Sequence, residues 1–171
     1  APDADEAAVR AALAWHDAGW PWRRYGPVVM AAVRAGVPVA GGNLPRRQHG
    51  EVMRDAAWDD TLPDAQQRAA LHRALDEGHC GLLPAAQLPA MVRIQLARDD
   101  AMAATLLERR SPDRTVLLVT GAQHARRDRG VPHHLARRAG TDAARACLSI
   151  ELRATDAARA EPDPAFDALW L

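Results

Sequence analysis

Apolar positions in this chain fall into two patterns that take turns along the sequence: stretches at helical spacing and short continuous runs. The longest helical pattern starts near Pro89 and runs to about Arg110, with Met91, Ile94, Gln95, Arg98, Met102, Thr105 and Leu106 on one face. Shorter helices are expected elsewhere. One runs from a cap at Asp3 or Asp5 to about Ala18, stopped by Gly19 and Pro21, and a second spans about 25–35, ended by Gly36. A short helix follows Pro45, another opens at Pro63 and reaches about Glu77, and a last one lies near 133–139 and stops at Gly140. Three runs read as strands: 37–40, 115–120 and 146–152.

The run at 115–120 is the most telling. Val116, Leu117, Leu118, Val119 and Thr120 are all apolar or β-branched, as in a strand of a parallel sheet covered on both faces. Gly121 follows, where the backbone is free to turn sharply, and His124 comes three residues later. Ligands of open α/β sheets bind at the carboxyl ends of strands, so His124 is expected at a ligand or metal site. Strands alternating with helices predict an α/β fold, a mostly parallel sheet flanked by helices with right-handed crossovers. Three strands are few for such a sheet, and a helix comes first. The pattern therefore predicts a partial domain missing its first strands. The tail at 154–171, with Pro162 and Pro164, reads as irregular. No internal repeat is present.

Composition narrows the classes. The chain has 171 residues, 48% of them hydrophobic, enough for one domain with a real core. Its 22 basic residues, all arginine, cancel 22 acidic ones, so no global field draws it to nucleic acid or to a membrane. No stretch is long and apolar enough to span a bilayer. Cys80 and Cys147 match neither a zinc spacing nor a disulfide framework, and Cys147 reads as a core residue.

Several groups carry candidate chemistry, each with a plainer account beside it. Gly41-Gly42-Asn43-Leu44-Pro45-Arg46-Arg47 leaves a strand; it is either a turn with a solvated arginine pair or an anion-binding loop built on Asn43 and Arg46. Arg98 and Asp99 read as a solvated pair, yet Gln95 and Arg98 share the face of Ile94 and Met102, and buried polar groups need partners. His79 sits in a glycine-flanked loop, as a ligand or as a solvated side chain. Arg126 begins a charged run that binds carboxylates or merely leads into a helix. Tyr25, the sole tyrosine, stands beside Trp20 and Trp22, where an aromatic cluster is usually core.

In combination these segments resemble the ChaN-like haem-binding lipoproteins of the haem-binding uptake, Tiki superfamily. The resemblance is carried by Gly19-Trp20-Pro21-Trp22 with Tyr25 and Pro27, by the 37–46 segment VPVAGGNLPR, by 78–102 with HCGLLP and QLARDDAM, and by 116–132. Gly121 and His124 match the second of the superfamily's two Gly-x-x-His motifs. The first, written Gly-Glu-x-His, has no counterpart here, so the chain looks like the carboxyl-terminal two-thirds of such a domain. The resemblance implies haem binding and haem or iron uptake on the periplasmic side of the bacterial envelope. It also implies a homodimer, held to the membrane only through a lipid anchor absent from this chain, and no nucleic-acid partner. Tyr25 or a histidine, His79 or His124, would ligate iron, and Arg46, Arg98 and Arg126 would hold the propionates beside Asn43 and Gln95. The alternative it implies is a metal-dependent hydrolase of the Tiki and erythromycin-esterase-like kind, with His124 on a divalent metal or acting as general base.

Overall fold

Side-chain caps and glycines set the element boundaries. In the computed structural model, which describes residues 1–62, 64–153 and 163–170, the chain forms two compact units, 1–41 and 42–171. In the first, Asp5 accepts from Ala8 N at 2.7 Å and opens α1 (Glu6–Ala12). The helix expected to reach Ala18 stops six residues earlier, and Ala14 takes a left-handed φ of 46°. The reason lies at Asp17. Its carboxylate accepts from Trp22 N at 2.7 Å and pairs with Arg10, so it serves the start of α2 (Trp22–Arg34) and not the end of α1. Gly36, at φ +71°, follows the α2 cap as expected. Val9, Trp22 and Met30 form this unit's core, with Trp15 edge-on to Trp22 at 5.0 Å.

The second unit is built around one helix. A 3-10 turn at Arg46–Gln48 leads into α3 (His49–Arg54), and Asp64 caps α4 (Ala65–Gly78) by accepting from Gln67 N. Pro63, expected to open α4, lies outside the described residues. Then comes α5 (Leu88–Arg109), followed by α6 (Ala122–Ala125), α7 (Val131–Ala139) and α8 (Thr141–Arg145). Three clusters surround α5. Val92 and Leu96 meet Leu62 and Leu71, Ile94 and Ala97 meet Val52, and Met102 and Ala103 meet Val131 and Leu135. A helix apolar on most of its circumference belongs in the centre, and that is where α5 lies.

The fold is mixed α/β, rich in helix, and its sheet is much smaller than the sequence pattern suggests. Among the described residues it has two strands, β1 (Ile150–Leu152) and β2 (Ala168–Trp170), paired in parallel with Ile150 opposite Ala168 and Leu152 opposite Trp170. The run expected as a strand at 146–152 is thus a strand only in its last three residues. Its partner comes from the tail that was expected to be irregular; 154–162 of that tail lie outside the described residues. The runs at 37–40 and 115–120 are not strands. Along 115–120 exposure alternates as in an extended chain. Val116, Leu118 and Thr120 are half-buried, Leu117 and Val119 are open, and Leu118 packs on the Met102–Val131 cluster. The backbone of this run makes no hydrogen bond among the described residues. An apolar run specifies burial; a ladder also needs a neighbour, and none pairs with it among the described residues. Among the described residues no helix is long and apolar enough to cross a membrane.

Candidate functional site

Gln95 and Asp99 are four residues apart on α5 and so lie on one helical face. Across from them, α6 is a single turn in which His124 N donates to Gly121 O at 3.0 Å, and this turn swings the His124 ring toward α5. His124 Nδ1 lies 2.5 Å from Asp99 Oδ1 and 2.9 Å from Gln95 Nε2. All three side chains are buried, Asp99 to 1% exposure. Burial pushes the Asp99 carboxyl up to about 6, against the opposing pull of its bond to His124. His124 Nε2 has no hydrogen-bond partner among the described residues. The imidazole lines an open pocket of about 280 Å³ together with Leu71, Ala74 and Leu75 of α4, Gln95 of α5 and the turn from Gly121.

The glycine that matters for this turn is not Gly121, whose φ of −68° suits any residue and whose added Cβ would meet only His124 Cδ2 at 3.8 Å. It is Gly130, at the start of α7. A Cβ there would lie 2.2 Å from the His124 carbonyl oxygen and 2.8 Å from that of Arg126.

Arg98, one residue before Asp99, points elsewhere. Its Nε donates to Asn43 Oδ1 at 3.0 Å, and the same oxygen accepts from Leu44 N. Burial lowers the pKa of this guanidinium, with Asp99 pulling the other way. Arg93, Arg126, Arg127, Arg129 and Arg138 each hydrogen-bond a carboxylate. Arg98, half-buried, reaches only the amide oxygen of Asn43 among the described residues.

The remaining candidates have surroundings of their own. Arg46 is exposed at the start of the 3-10 turn. His79 is exposed at the carboxyl end of α4, one turn beyond Leu75, and its Nδ1 bonds the Leu75 carbonyl at 2.7 Å. Arg126 is held by Asp128 at 3.0 Å and by Asp163, so its guanidinium already has two carboxylates. Tyr25 belongs to the other unit, half-buried with its ring 4.2 Å from that of Trp20. Cys147 packs beside the Met102–Val131 cluster, and burial raises its thiol pKa. The residue whose role the sequence pattern did not reveal is Asp99. It partners His124 and not Arg98; its spacing from Gln95 is the signal that points there. Among the described residues no three His, Cys, Asp or Glu side chains gather into a metal site.

A family model described as haem-binding uptake, Tiki superfamily, ChaN matches residues 1–135. No curated protein and no solved structure matches the chain.

Proposed function

This chain belongs to the ChaN family of the haem-binding uptake, Tiki superfamily, and we propose that it binds haem in the service of haem or iron uptake in the bacterial envelope. The observation that carries this reading is His124. Its ring is buried, is held through Nδ1 and lines the pocket, and Nε2 has no hydrogen-bond partner among the described residues. The pocket lining fits one edge of the group, with an imidazole for iron and apolar walls from Leu71, Ala74 and Leu75 for a macrocycle; outside that lining, half-buried Arg98 reaches no carboxylate among the described residues. The pocket, at about 280 Å³, is just under the ~300–1,000 Å³ typical of sites that engulf a ligand, so it suits one edge of a haem.

Bound haem would supply an iron centre that accepts an electron pair from a protein ligand. His124 is the ligand the pocket offers. Tyr25 and His79 remain the other candidates, and the Tyr25 hydroxyl has no hydrogen-bond partner among the described residues. Arg98 with Asn43 would hold a propionate, and Arg46 lies on the turn that follows Asn43. Arg126 would join only by giving up an aspartate.

The family's uptake description supports an envelope-associated protein, and we extend this to a periplasmic, lipid-anchored one. The unpaired run at 115–120 supports a sheet completed by strands outside those described. The open apolar side chains Leu117, Leu148, Leu152 and Trp170 support a homodimer.

A second reading is favoured by the Asp99–His124 contact, because a histidine oriented by a carboxylate is also the arrangement of a general base in a hydrolase. Haemin titration separates the two. Haem binding predicts a saturable Soret shift near one haem per chain, lost or altered in His124→Ala. Without such a shift, and with an ester or peptide cleaved only when divalent metal is added, the hydrolase reading takes its place. Tyr25→Phe and His79→Ala identify the ligand if His124→Ala leaves the spectrum unchanged.

A further inference from the structure

Two groups crowd one nitrogen of His124: the Asp99 carboxylate at 2.5 Å and the Gln95 amide nitrogen at 2.9 Å. A ring nitrogen holds either a proton or a lone pair, so Nδ1 cannot both donate to a carboxylate and accept from an amide N–H. The contest has one outcome when Asp99 is ionised. An ionised carboxylate only accepts, so a hydrogen bond between it and Nδ1 puts the proton on Nδ1. Gln95 settles by turning its amide over, which sets Oε1 beside the Nδ1–H and aims the NH2 elsewhere; oxygen and nitrogen of an amide are assigned by such networks. With Nδ1 protonated, a neutral His124 has a bare lone pair on Nε2, the nitrogen with no partner among the described residues.

We infer that Asp99 is the positioning residue of this site: it locks His124 in the Nδ1–H tautomer, so that the pocket meets an electron-pair donor suited to a metal centre and not to an anion. The inference rests on the haem-binding reading only for the identity of that centre. Partner carboxylates of this kind fix the tautomer of a ligating histidine and raise its basicity. Asp99 is placed for that task. It comes from the central helix and is 1% exposed, so water does not compete for the contact. Anion recognition then falls to Arg98, the residue before Asp99 on α5, which faces Asn43 instead.

The test begins with the unliganded protein, labelled with 15N at histidine and held in mildly alkaline buffer. Long-range proton–nitrogen correlation reads each ring nitrogen directly. The expected result is a protonated Nδ1 and a bare Nε2 on His124; the opposite tautomer overturns the inference. Asp99→Asn carries an amide that can donate to Nδ1, and it is expected to shift His124 toward the Nε2–H form. In the haemin-loaded protein, ligation through Nε2 would return the proton to Nδ1, and the same change should then raise the iron midpoint potential, because an amide oxygen accepting from Nδ1–H pushes less electron density through the ring than a carboxylate does. A folded Asp99→Asn with unchanged tautomer and unchanged potential gives Asp99 a packing role only and sinks the proposal. If that variant does not fold, the wild-type tautomer decides alone. Haemin that fails to bind the wild-type protein removes the haem reading and leaves the tautomer result standing.

Discussion

Gly130 shows how one missing methyl group holds the site together. Alanine there would press its Cβ against two backbone carbonyls, His124 O at 2.2 Å and Arg126 O at 2.8 Å, and backbone has nowhere cheap to move. Gly130→Ala is expected to cost about 1–3 kcal/mol, as overpacking does, and to weaken haemin binding because the His124 turn must shift. Gly121→Ala is the control, expected within ~0.5 kcal/mol of wild type. Thermal melts with haemin titration check both. His134 gives a second residue-scale prediction. It is fully buried, both ring nitrogens lack hydrogen bonds, and the nearest carboxylate, Asp100, is 3.4 Å from Nδ1. Burial lowers its pKa from 6.5 to about 4, with Asp100 opposing and His133 and Arg137 adding to the fall. Between those values the unfolded chain binds a proton that the folded chain does not, so stability falls as the pH drops through this window. Asp99 acts in the reverse sense. Its folded pKa of about 6 exceeds the ordinary 3.8, so the folded state holds the extra proton and gains stability on acidification. The two largely cancel between about pH 4 and 6, while the lowered carboxylates Asp59, Asp100 and Asp163 act below that window. His134→Leu should therefore become more stable as pH falls from about 6 to 4, measured by urea unfolding at stepped pH; a flat or falling profile would refute the assignment.

At the scale of elements, α5 organises the larger unit, because three clusters and the polar site all rest on it. Leu96, at 1% exposure among Leu62, Leu71 and Val92, is its best-buried large apolar side chain. Leu96→Ala is expected to cost about 2–5 kcal/mol in denaturant unfolding, the usual range for a core leucine. The cap of α4 reaches the pocket more gently. Asp64→Ala removes the bond to Gln67 N, should cost roughly 0.5–2 kcal/mol, and loosens the helix that supplies Leu71, Ala74 and Leu75. Haemin affinity should fall with it, while Asp5→Ala, in the other unit, should lower stability and leave affinity unchanged. Helices were the legible elements. Gly36 and Gly140 follow the ends of α2 and α7, and α5 begins and ends within a residue of its expected bounds. Strands were not. The 115–120 run has the composition of a strand and no ladder among the described residues, whereas 168–170, with no strand signature, is paired.

For the whole molecule the consequence is an uncovered apolar layer. Leu118 and Cys147 face inward onto one cluster, and alternation then turns Leu117, Val119, Leu148, Ile150 and Leu152 outward, with Trp170 exposed on the strand paired to β1. Leu117 is 82% exposed and Leu152 72%. Open strand-like backbone beside exposed aliphatics favours association between chains. The homodimer proposal predicts a concentration-dependent rise to twice the chain mass in light scattering, abolished by Leu117→Lys with Leu152→Lys. A monomer at every concentration would end it.

The sequence by itself determined α2, α4, α5 and α7 to within a few residues, because a helix's hydrogen bonds close within four residues, whereas α1 ends earlier than expected and the short α6 and α8 were not foreseen. It also determined that Gln95 sits on a largely buried helix face, and it carried the family's motif at Gly121 and His124. Tertiary structure alone decided the partners. Asp99 meets His124 across 25 residues of chain, and Arg98 meets Asn43 across 55. Ile150 pairs with Ala168 while 115–120 pairs with nothing described. Such contacts depend on which distant segments arrive together, and a local pattern of apolar and polar residues holds no record of that.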